Sequence, residues 1–464
     1  MTELWRMGAG ELAGAIRRRD VSSREVVQAH LARIEAANER LNAVTVVLAE
    51  TALSAADATD QAIRTSDPLG PLCGVPITVK ENIDVAGSAT TQGVAAFRDA
   101  APRRDAPHIA QLRAAGAIPI ARTNMPEFGM RWHTDNALRG ATRNPWDGTW
   151  TPGGSSGGDA VAVAAGMSPL GIGNDGAGSL RWPAQCCGVA ALKPSHGRVP
   201  VSGGATPFAF QLLAVHGPIA RRVEDLRLAL QAMCGPVHSG DPWHAPAPFD
   251  GPPPPTPIRV TMVEDPGGLG VDRDIAAAVR RAGELLGQAG YVVEAGDAPA
   301  LERVSETYFQ TMERFGRLEE AATPPPGFLS ADFERLWRQF NAPWIAAGGT
   351  PMADPMKARA GLYAAWSAMM RKAPLVLAPI ATAPPWTIGA DLEPDWGEAW
   401  IMALRMVVAP NLLGLPSVAV PVGVAGGRPQ VVQIIGPRFR EDLCLAAAEA
   451  IEAAIPALTP IEPR

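Results

Sequence analysis

The sequence predicts an α/β fold built around a mixed β-sheet in a single domain. Short apolar runs bounded by glycine and proline alternate along the chain with segments of helical periodicity, which is typical of alternating strands and helices. Hydrophobic residues make up 47% and charged residues 19% of the 464 residues, which is enough apolar material for a large core. No internal repeat of fixed period is visible, so a solenoid or a propeller is not expected.

The first half of the chain predicts helices followed by alternating strands. In residues 1–70, a capping box at Ser22–Glu25 precedes apolar residues at helical spacing, which predicts a long helix. In residues 71–234, the stretch Gly153–Gly178 is rich in glycine, which predicts a main chain that approaches another group closely. The other elements expected in residues 1–70 are a strand at Val44–Leu48 and a helix at Thr51–Arg64. In residues 71–234 we also expect strands at Val75–Val79 and Ile118–Ala121 and a helix at Ile109–Ala115.

Two proline-rich segments interrupt the second half. Residues 235–257, with the run Pro252–Pro255, predict an extended surface connector, and Thr323–Gly327 predicts a second break. Residues 258–464 are expected to complete the sheet. The elements expected there are strands at Ile258–Val263, Leu375–Leu377, Ser417–Val422 and Val431–Ile435 and helices at Ala276–Gly290 and Leu443–Ala454.

Charge and cysteine content exclude several classes of function. The net charge is −6 and no block of lysine and arginine occurs, so nucleic-acid binding is not expected. Five cysteines without a CxxC pair or a Cys/His cluster indicate neither a disulfide framework nor a metal site. The first residues do not resemble a signal peptide, and no apolar run is long enough to span a bilayer. We therefore expect a cytoplasmic protein that does not bind a membrane.

Lysine is rare in this chain. Only four of its 41 basic residues are lysines, namely Lys80, Lys193, Lys357 and Lys372. A site that needs an amine able to lose its proton cannot use arginine, because the guanidinium group stays protonated. Each lysine is therefore a candidate for a chemical role.

Two known motifs occur in the glycine-rich stretch, and both lack a required partner. Gly153–Gly157 satisfies G-x-S-x-G, the nucleophile elbow of α/β-hydrolases, which needs an acid and then a histidine later in the chain. No histidine lies in the final 220 residues, where that fold would place it. Gly171–Gly176 matches the dinucleotide fingerprint G-x-G-x-x-G, which needs a carboxylate about 20 residues further on. After Asp175, the next acidic residue is Glu224.

A pairing of serine with lysine accounts for the same stretch. Ser155 and Ser179 lie 24 residues apart, and Lys80 ends a predicted strand 75 residues before Ser155. A serine hydroxyl becomes a good nucleophile when a base takes its proton, and a lysine held neutral by burial can be that base. Ser-Lys variants of the catalytic triad work in this way without histidine. Taken singly, each of these residues could instead be an ordinary surface lysine or turn serine.

Together these residues resemble the amidase signature family. The family pattern is GGSSGG, then a G-T-D-x-G-G-S-like element, R-x-P-A, C-G and L-K-P, and residues 151–200 read TPGGSSGGDAVAVAAGMSPLGIGNDGAGSLRWPAQCCGVAALKPSHGRVP. The lysine element at Gly74–Gly87, the segment Ala121–Met130 and the C-terminal segments Asn411–Val422 and Gln433–Gly436 are similar too. The resemblance covers most of the chain. It implies the amidase signature fold, a largely central mixed sheet with helices on both faces.

The resemblance assigns roles to individual residues. Ser179 is the expected nucleophile, Ser155 the bridging serine with a cis peptide beside it, and Lys80 the base. The backbone N–H groups expected to form the oxyanion hole belong to Gly176, Ala177, Gly178 and Ser179. The residues expected to support this loop are Ser156, Asp175 and Arg181. No metal or organic cofactor is required.

Two positions depart from the family pattern. Asn174 stands where threonine is usual, and Ala177 stands where glycine is common. An alanine is compatible with an oxyanion hole if its φ is negative, since only its backbone N–H is needed. The departures leave Lys80, Ser155 and Ser179 untouched.

The implied activity is hydrolysis of a carboxamide C–N bond through an acyl-enzyme, with a small-molecule amide as substrate and a monomer or homodimer as the enzyme. The family also includes carbamate hydrolases and the glutaminase subunit of the tRNA amidotransferase. Members resembling that subunit carry S-L-D-x-x-G-P, whereas residues 212–218 here read LLAVHGP without the aspartate, which argues against that role. A non-catalytic scaffold is a third alternative, and the intact Lys80, Ser155 and Ser179 argue against it.

The bulky apolar side chains of the chain are relevant to the size of the substrate. The chain has twelve tryptophans and fourteen methionines, and the ordinary role of such residues is core packing. If several line the cleft, the pocket is wide and favours bulky aryl or alkyl amides, and with them aryl carbamates or esters. The candidates are Met125, Met130 and Trp132, which follow a Thr-Asn pair, and a later group of Trp386, Trp396, Trp400, Met402 and Met406.

Overall fold

Eleven strands form one mixed sheet, which is the frame of the structure. The computed structural model describes residues 3–201, 208–235, 240–319, 327–336, 338, 355–394, 396–456 and 461–463. Its strands are β1 (Val44–Val47), β2 (Pro76–Lys80), β3 (Ile118–Thr123), β4 (Leu170–Asp175), β5 (Ala190–Lys193), β6 (Val215–Ala220), β7 (Arg259–Met262), β8 (Val292–Ala295), β9 (Leu375–Pro379), β10 (Ser417–Ala425) and β11 (Arg428–Ile435). They lie in the order β1-β3-β2-β4-β6-β5-β10-β11-β9-β7-β8.

The sheet is parallel in two places and antiparallel elsewhere. Strand β2 runs parallel to both β3 and β4, and β7 runs parallel to both β8 and β9. The other neighbours pair antiparallel, with β6, β5, β10 and β11 as the central run. The expected mixed α/β architecture is confirmed.

Helices connect the strands and cover the sheet. They are α1 (Ala9–Arg17), α2 (Ser23–Leu41), α3 (Ala49–Thr65), α4 (Pro107–Ala114), α5 (Gly157–Ala164), α6 (Arg181–Cys187), α7 (Phe208–Leu213), α8 (Val223–Met233), α9 (Arg273–Gln288), α10 (Leu301–Glu319), α11 (Pro355–Met370), α12 (Trp396–Ala403), α13 (Ala409–Leu413) and α14 (Glu441–Ala453). Residues 331–336 are also helical. Among the described residues, none of the helices combines the length and the apolar character that crossing a membrane requires.

The elements expected from the sequence are present, with small shifts at their ends. The predicted capping box is present, since the Ser22 side chain accepts from the Glu25 N–H. Helix α2 begins at Ser23. Helix α9 begins three residues before the predicted start, because the Asp272 side chain caps it. The described part of residues 235–257 contains neither helix nor strand. Of the proline-rich break expected at Thr323–Gly327, all but Gly327 lies outside the described residues.

The sheet is apolar on both faces, as strand alternation requires. In β9, Leu375 and Leu377 belong to one buried cluster, whereas Val376 and Ala378 belong to another. Since successive side chains of a strand point to opposite faces, these two clusters are the cores on either side of the sheet.

The same alternation determines which face carries Lys80. In β2, Ile77 and Val79 pack into the core that contains Leu375, so Thr78 and Lys80 point to the opposite face. Helix α5 packs on that opposite face, because its residues 160–164 belong to the core that contains Val376. The N-terminus of α5 is thus brought over the end of β2.

Helix α5 lies very close to the sheet, and Gly158 is the reason. A Cβ on Gly158 would come within 2.5 Å of the backbone N and O of Asn124 and within 2.9 Å of the Ala43 carbonyl. These neighbours are main-chain atoms, which cannot rotate away. A side chain at this position would therefore force α5 off the sheet.

We predict that Gly158→Ala lowers the free energy of unfolding by about 1–3 kcal/mol, because overpacking against backbone cannot be relieved by a rotamer change. Urea denaturation monitored by circular dichroism measures this. The matched control is Gly287→Ala in α9, where a Cβ meets nothing within 4 Å. The control is expected to raise stability by about 0.4–1 kcal/mol through loss of chain entropy in the unfolded state. Equal effects of the two substitutions would contradict the packing argument.

Candidate active site

Lys80 is a buried amine held by three oxygen acceptors. It ends β2 and has no solvent exposure. Its Nζ donates to Ser155 Oγ at 2.7 Å, to Ser156 Oγ at 3.0 Å and to Asn174 Oδ1 at 2.7 Å. Asn174, the departure from the family pattern, thus contacts the lysine directly, and its Nδ2 donates to Asn82 Oδ1. The amine is fixed and aimed at Ser155.

The surroundings of Lys80 favour its neutral form. Burial lowers the pKa of Lys80 below its ordinary value, because the charged ammonium loses its hydration, and the carboxylates of Asp159 and Asp175 oppose this only in part. Burial also lowers the pKa of Lys193 to about 7, yet its Nζ donates to the Pro194 carbonyl rather than to a serine. Lys80 is therefore the lysine that meets the requirements of a base acting on serine.

Ser155 and Ser156 form the turn that leads into α5. The peptide between Gly154 and Ser155 is cis, as the resemblance implies. The Ser156 N–H donates to the Ser179 carbonyl at 3.1 Å, so this turn and the expected nucleophile lie side by side. The two hydroxyls of Ser155 and Ser179 are not hydrogen-bonded to each other within the described part of the chain. Catalytic hydrogen bonds of this kind often tighten only when substrate is bound.

The loop at residues 176–179 is held through its carbonyl groups. All four of them accept a hydrogen bond from another part of the protein. The donors are Tyr308 Oη to Gly176 at 2.7 Å, Trp132 Nε1 to Ala177 at 3.0 Å, the Trp182 N–H to Gly178 at 2.7 Å, and the Ser156 N–H to Ser179 at 3.1 Å. These hydrogen bonds fix the loop through its carbonyl groups.

One of the four expected oxyanion donors is already in use. The Gly178 N–H donates to Asp175 Oδ1 at 2.8 Å, so this donor is engaged within the protein. The N–H groups of Gly176, Ala177 and Ser179 find no protein acceptor among the described residues. Ala177 does not adopt a positive φ, which removes the concern raised by its departure from glycine. Three preorganised N–H donors remain next to Ser179.

Asp175 and Arg181 form a buried ion pair beneath this loop. The Arg181 guanidinium donates from Nε to Asp175 Oδ2 and from Nη2 to Oδ1, both at 3.0 Å, and neither side chain is exposed. Burial alone would raise the pKa of Asp175, but the charge and hydrogen bonds of Arg181 hold it down at about 2. Asn411 and Gln433 complete the network, since both accept from Arg181 and Asn411 also donates to Asp175.

Several residues that hold the site were not predicted. Asn411 and Gln433 lie in the C-terminal segments that resemble the family, so a signal existed for them. Tyr308 lies on α10, in a part of the sequence with no recognisable motif, and nothing in the sequence marked it. Among the described residues, no group of three His, Cys, Asp or Glu side chains could hold a metal ion.

The predicted pocket residues divide into core and half-buried groups. Met125, Met406 and Trp400 are buried in the core, and Met402 is exposed. Met130, Trp132, Trp386 and Trp396 are half-buried. The rings of a tryptophan cluster lie with centroids 3.8–5.2 Å apart, and this cluster comprises Trp182, Trp386, Trp396 and Trp400. Trp182 lies in α6, just after Ser179, and its Nε1 donates to the Trp132 carbonyl.

The chain resembles known proteins over nearly its whole length. The model of the Amidase family matches residues 25–445. An indoleacetamide hydrolase of Bradyrhizobium diazoefficiens is 42% identical over 97% of this chain and 86% of its own length. A glutamyl-tRNA(Gln) amidotransferase subunit of Moorella thermoacetica is 32% identical over 97% of both chains. A bacterial aryl acylamidase of the amidase signature family superimposes with a TM-score of 0.83 at 26% identity, covering 97% of this chain and 96% of that one.

We predict that Arg181→Met lowers the free energy of unfolding by about 3–5 kcal/mol, because it leaves a buried carboxylate without its partner. The stabilising contribution of Asp175 is present above its ordinary unfolded pKa and is lost as the pH falls toward about 2. The deficit of the variant, measured by urea denaturation between pH 3 and pH 8, is thus expected to shrink at the acid end. The control is Arg259→Met, which removes an exposed pair with Glu294 and is expected to cost at most about 1 kcal/mol.

Proposed function

The chain belongs to the amidase family of hydrolases acting on linear amides, and from this premise we propose that it cleaves aryl-bearing carboxamides through Lys80, Ser155 and Ser179. The observation that carries the proposal is the buried hydrogen bond of 2.7 Å between Lys80 Nζ and Ser155 Oγ. An amine of lowered pKa in direct contact with a serine is the arrangement that serine activation without histidine requires.

The reaction begins with two proton transfers. Neutral Lys80 takes the proton of Ser155, and Ser155 takes the proton of Ser179, whose oxygen attacks the carbonyl carbon of the amide. The contact between the two serine hydroxyls closes when the substrate is bound. The result is a tetrahedral intermediate bonded to Ser179, with a negative charge on the former carbonyl oxygen.

The loop beside Ser179 is suited to hold that charge. The N–H groups of Gly176, Ala177 and Ser179 are the donors, and the carbonyl groups of the loop are fixed by other parts of the protein. Because the donors need no rearrangement, they stabilise the intermediate at little cost, and each is worth about 3–4 kcal/mol of barrier.

Cleavage then releases the amine. Ser155 gives its proton to the leaving nitrogen and takes one back from Lys80, the C–N bond breaks, and the acyl group stays on Ser179 as an ester. A water molecule, deprotonated through the same pair of Ser155 and Lys80, hydrolyses the ester and regenerates the enzyme. Every proton in this cycle moves between residues of the chain, the substrate and water.

An aryl group on the substrate, on the acyl side or on the leaving amine, is the feature that we propose. The relative that is 42% identical is an indoleacetamide hydrolase, and a structural relative is an aryl acylamidase. The half-buried rings of Trp132, Trp386 and Trp396 offer an apolar, aromatic surface near the loop of Ala177. Aromatic side chains of this kind bind flat apolar ligands well. Aryl carbamates and esters are proposed as further substrates of the same site.

The glutaminase role is the second candidate. It is favoured by the relative from Moorella, which is 32% identical over nearly the full chain. It is disfavoured by residues 212–218, which lack the aspartate of the S-L-D-x-x-G-P element. A carboxylate-bearing substrate such as glutamine also fits poorly against three half-buried tryptophans.

We predict that Lys80→Arg loses about 10²–10⁴-fold in kcat, because arginine keeps the charge but does not act as a base. Ser179→Ala is expected to lose fluorophosphonate labelling of the peptide that contains residue 179. The matched control is Lys357→Arg, an exposed lysine of α11, which is expected to keep full activity. Labelling of Ser155, or an active Lys80→Arg variant, would overturn these assignments.

We predict that indole-3-acetamide is cleaved with a kcat/KM at least about 30-fold above that of acetamide, since burying an aromatic ring contributes about 2 kcal/mol or more. Mass spectrometry of the released acids, over a panel with acetamide, glutamine and an aryl carbamate, measures this. The Lys80→Arg protein supplies the blank. A preference for glutamine would favour the second candidate, and a preference for acetamide would rule out the aryl pocket.

A further inference from the structure

Asp159 is a buried carboxylate that the reaction above leaves without a role. It lies in the first turn of α5 and has no solvent exposure. Its Oδ1 accepts from Thr123 Oγ1 at 2.7 Å, whereas its Oδ2 finds no hydrogen-bond partner among the described residues. A carboxylate oxygen buried without a partner is costly, so its presence calls for a physical reason.

The position of Asp159 is defined by three strands of the sheet. Thr123 of β3, which holds Asp159, is the register partner of Lys80 in β2. A Cβ on Gly171 of β4 would lie 3.0 Å from Asp159 Cβ and 3.4 Å from Thr78 Oγ1. Thr78 and Lys80 point to the same face of β2. Asp159 therefore lies on the face of the sheet that carries Lys80, in a hollow left by small side chains.

The other titratable groups around this hollow are engaged elsewhere. They are Asp175 at the end of β4, Arg122 of β3 and His216 of β6. The guanidinium of Arg122 donates to main-chain carbonyls, including that of Lys80. Burial lowers the pKa of His216 well below its ordinary value, so this imidazole is neutral.

Asp175 is also unavailable to Lys80, because its carboxylate is paired with Arg181. Asp159 is then the carboxylate left to balance a charge on the lysine. Burial raises the pKa of Asp159, with Thr123 and Lys80 opposing this effect. The charged forms of Asp159 and Lys80 thus stabilise each other in a region where neither would be stable alone.

We propose that Asp159 is a positioning residue for the base, the counter-charge that makes proton uptake by Lys80 favourable in the protein interior. This rests on the proposed role of Lys80. When the proton moves from Ser155 Oγ to Lys80 Nζ, the Asp159 carboxylate balances the charge of the new ammonium group, and the two buried groups together carry no net charge. When the proton returns to the leaving nitrogen, the carboxylate stays in place.

The test is the pH dependence of Ser179 labelling by a fluorophosphonate, which requires neither the natural substrate nor turnover. Labelling needs neutral Lys80, so its rate rises with pH through the pKa of that lysine. In Asp159→Asn, an isosteric change that removes the charge, the lysine loses its stabilising anion. The rise is expected to shift to lower pH by about one unit or more, and the plateau rate to fall, because a weaker base remains.

Two variants separate this role from a structural one. Asp159→Glu keeps the charge and is expected to keep the pH of the rise. Asp225→Asn removes another buried carboxylate, which accepts from the Ala9 and Gly10 N–H groups, and is expected to lose stability without moving the rise. A folded Asp159→Asn protein whose rise stays at the wild-type pH would overturn the proposal, even if its plateau falls.

A third variant covers the case in which Asp159→Asn does not fold. Thr123→Val removes the hydrogen bond that favours the ionised form of Asp159, so a smaller shift in the same direction is expected. An unmoved rise in this variant would equally overturn the proposal. The Lys80→Arg protein distinguishes a failure of the base assignment from a failure of the role proposed for Asp159. If it is still labelled, the base assignment itself fails, and if it is not, an unmoved rise refutes only the role of Asp159.

Discussion

The close packing of α5 on β2 and β4 is the constraint on which the site depends. It buries the amine of Lys80 against Ser155 and Ser156 and shields it from solvent. A buried ammonium group is costly, so burial lowers the pKa of the lysine and favours its neutral form. The packing itself is possible because Gly158 of the helix and Gly173 of β4 lack side chains; a Cβ on Gly173 would lie 2.6 Å from Ser156 Oγ.

Two buried carboxylates serve this site in opposite ways. Asp175 is held ionised by Arg181, and its charge fixes the loop that carries Ser179, through the N–H groups of Gly178 and Leu180. Asp159 has no arginine partner, and burial raises its pKa. When the environments of two carboxyl groups shift their pKa values in opposite directions, the two groups usually have different roles, one in holding the structure and one in proton transfer. In the proposed reaction, Asp175 holds the loop of Ser179 in place, and Asp159 balances the charge of the transferred proton.

The positions of Lys80 and Ser155 were easier to predict from the sequence than the residues that support them. The strand ending at Lys80 and the glycine-rich stretch around Ser155 carry local patterns, so both could be identified without a structure. The contact of Tyr308 with Gly176 joins residues 132 positions apart and follows from tertiary packing alone. Met125 could not be assigned, because a buried methionine and a pocket methionine look alike in a sequence. The direction of the Gly178 N–H depends on a loop conformation that residue types do not specify.

In the proposed function, substrate binding and catalysis share one chain of contacts. The Ala177 carbonyl accepts from Trp132 Nε1, and the Trp132 carbonyl accepts from Trp182 Nε1. The ring of Trp182 stacks on Trp386, 5.1 Å away between centroids. An aryl group bound against these tryptophans, as proposed, would therefore contact the groups that hold the loop at residues 176–179 in position. Since N–H donors are effective only when held in place, a ligand that tightens this chain improves the stabilisation of charge as well as its own binding.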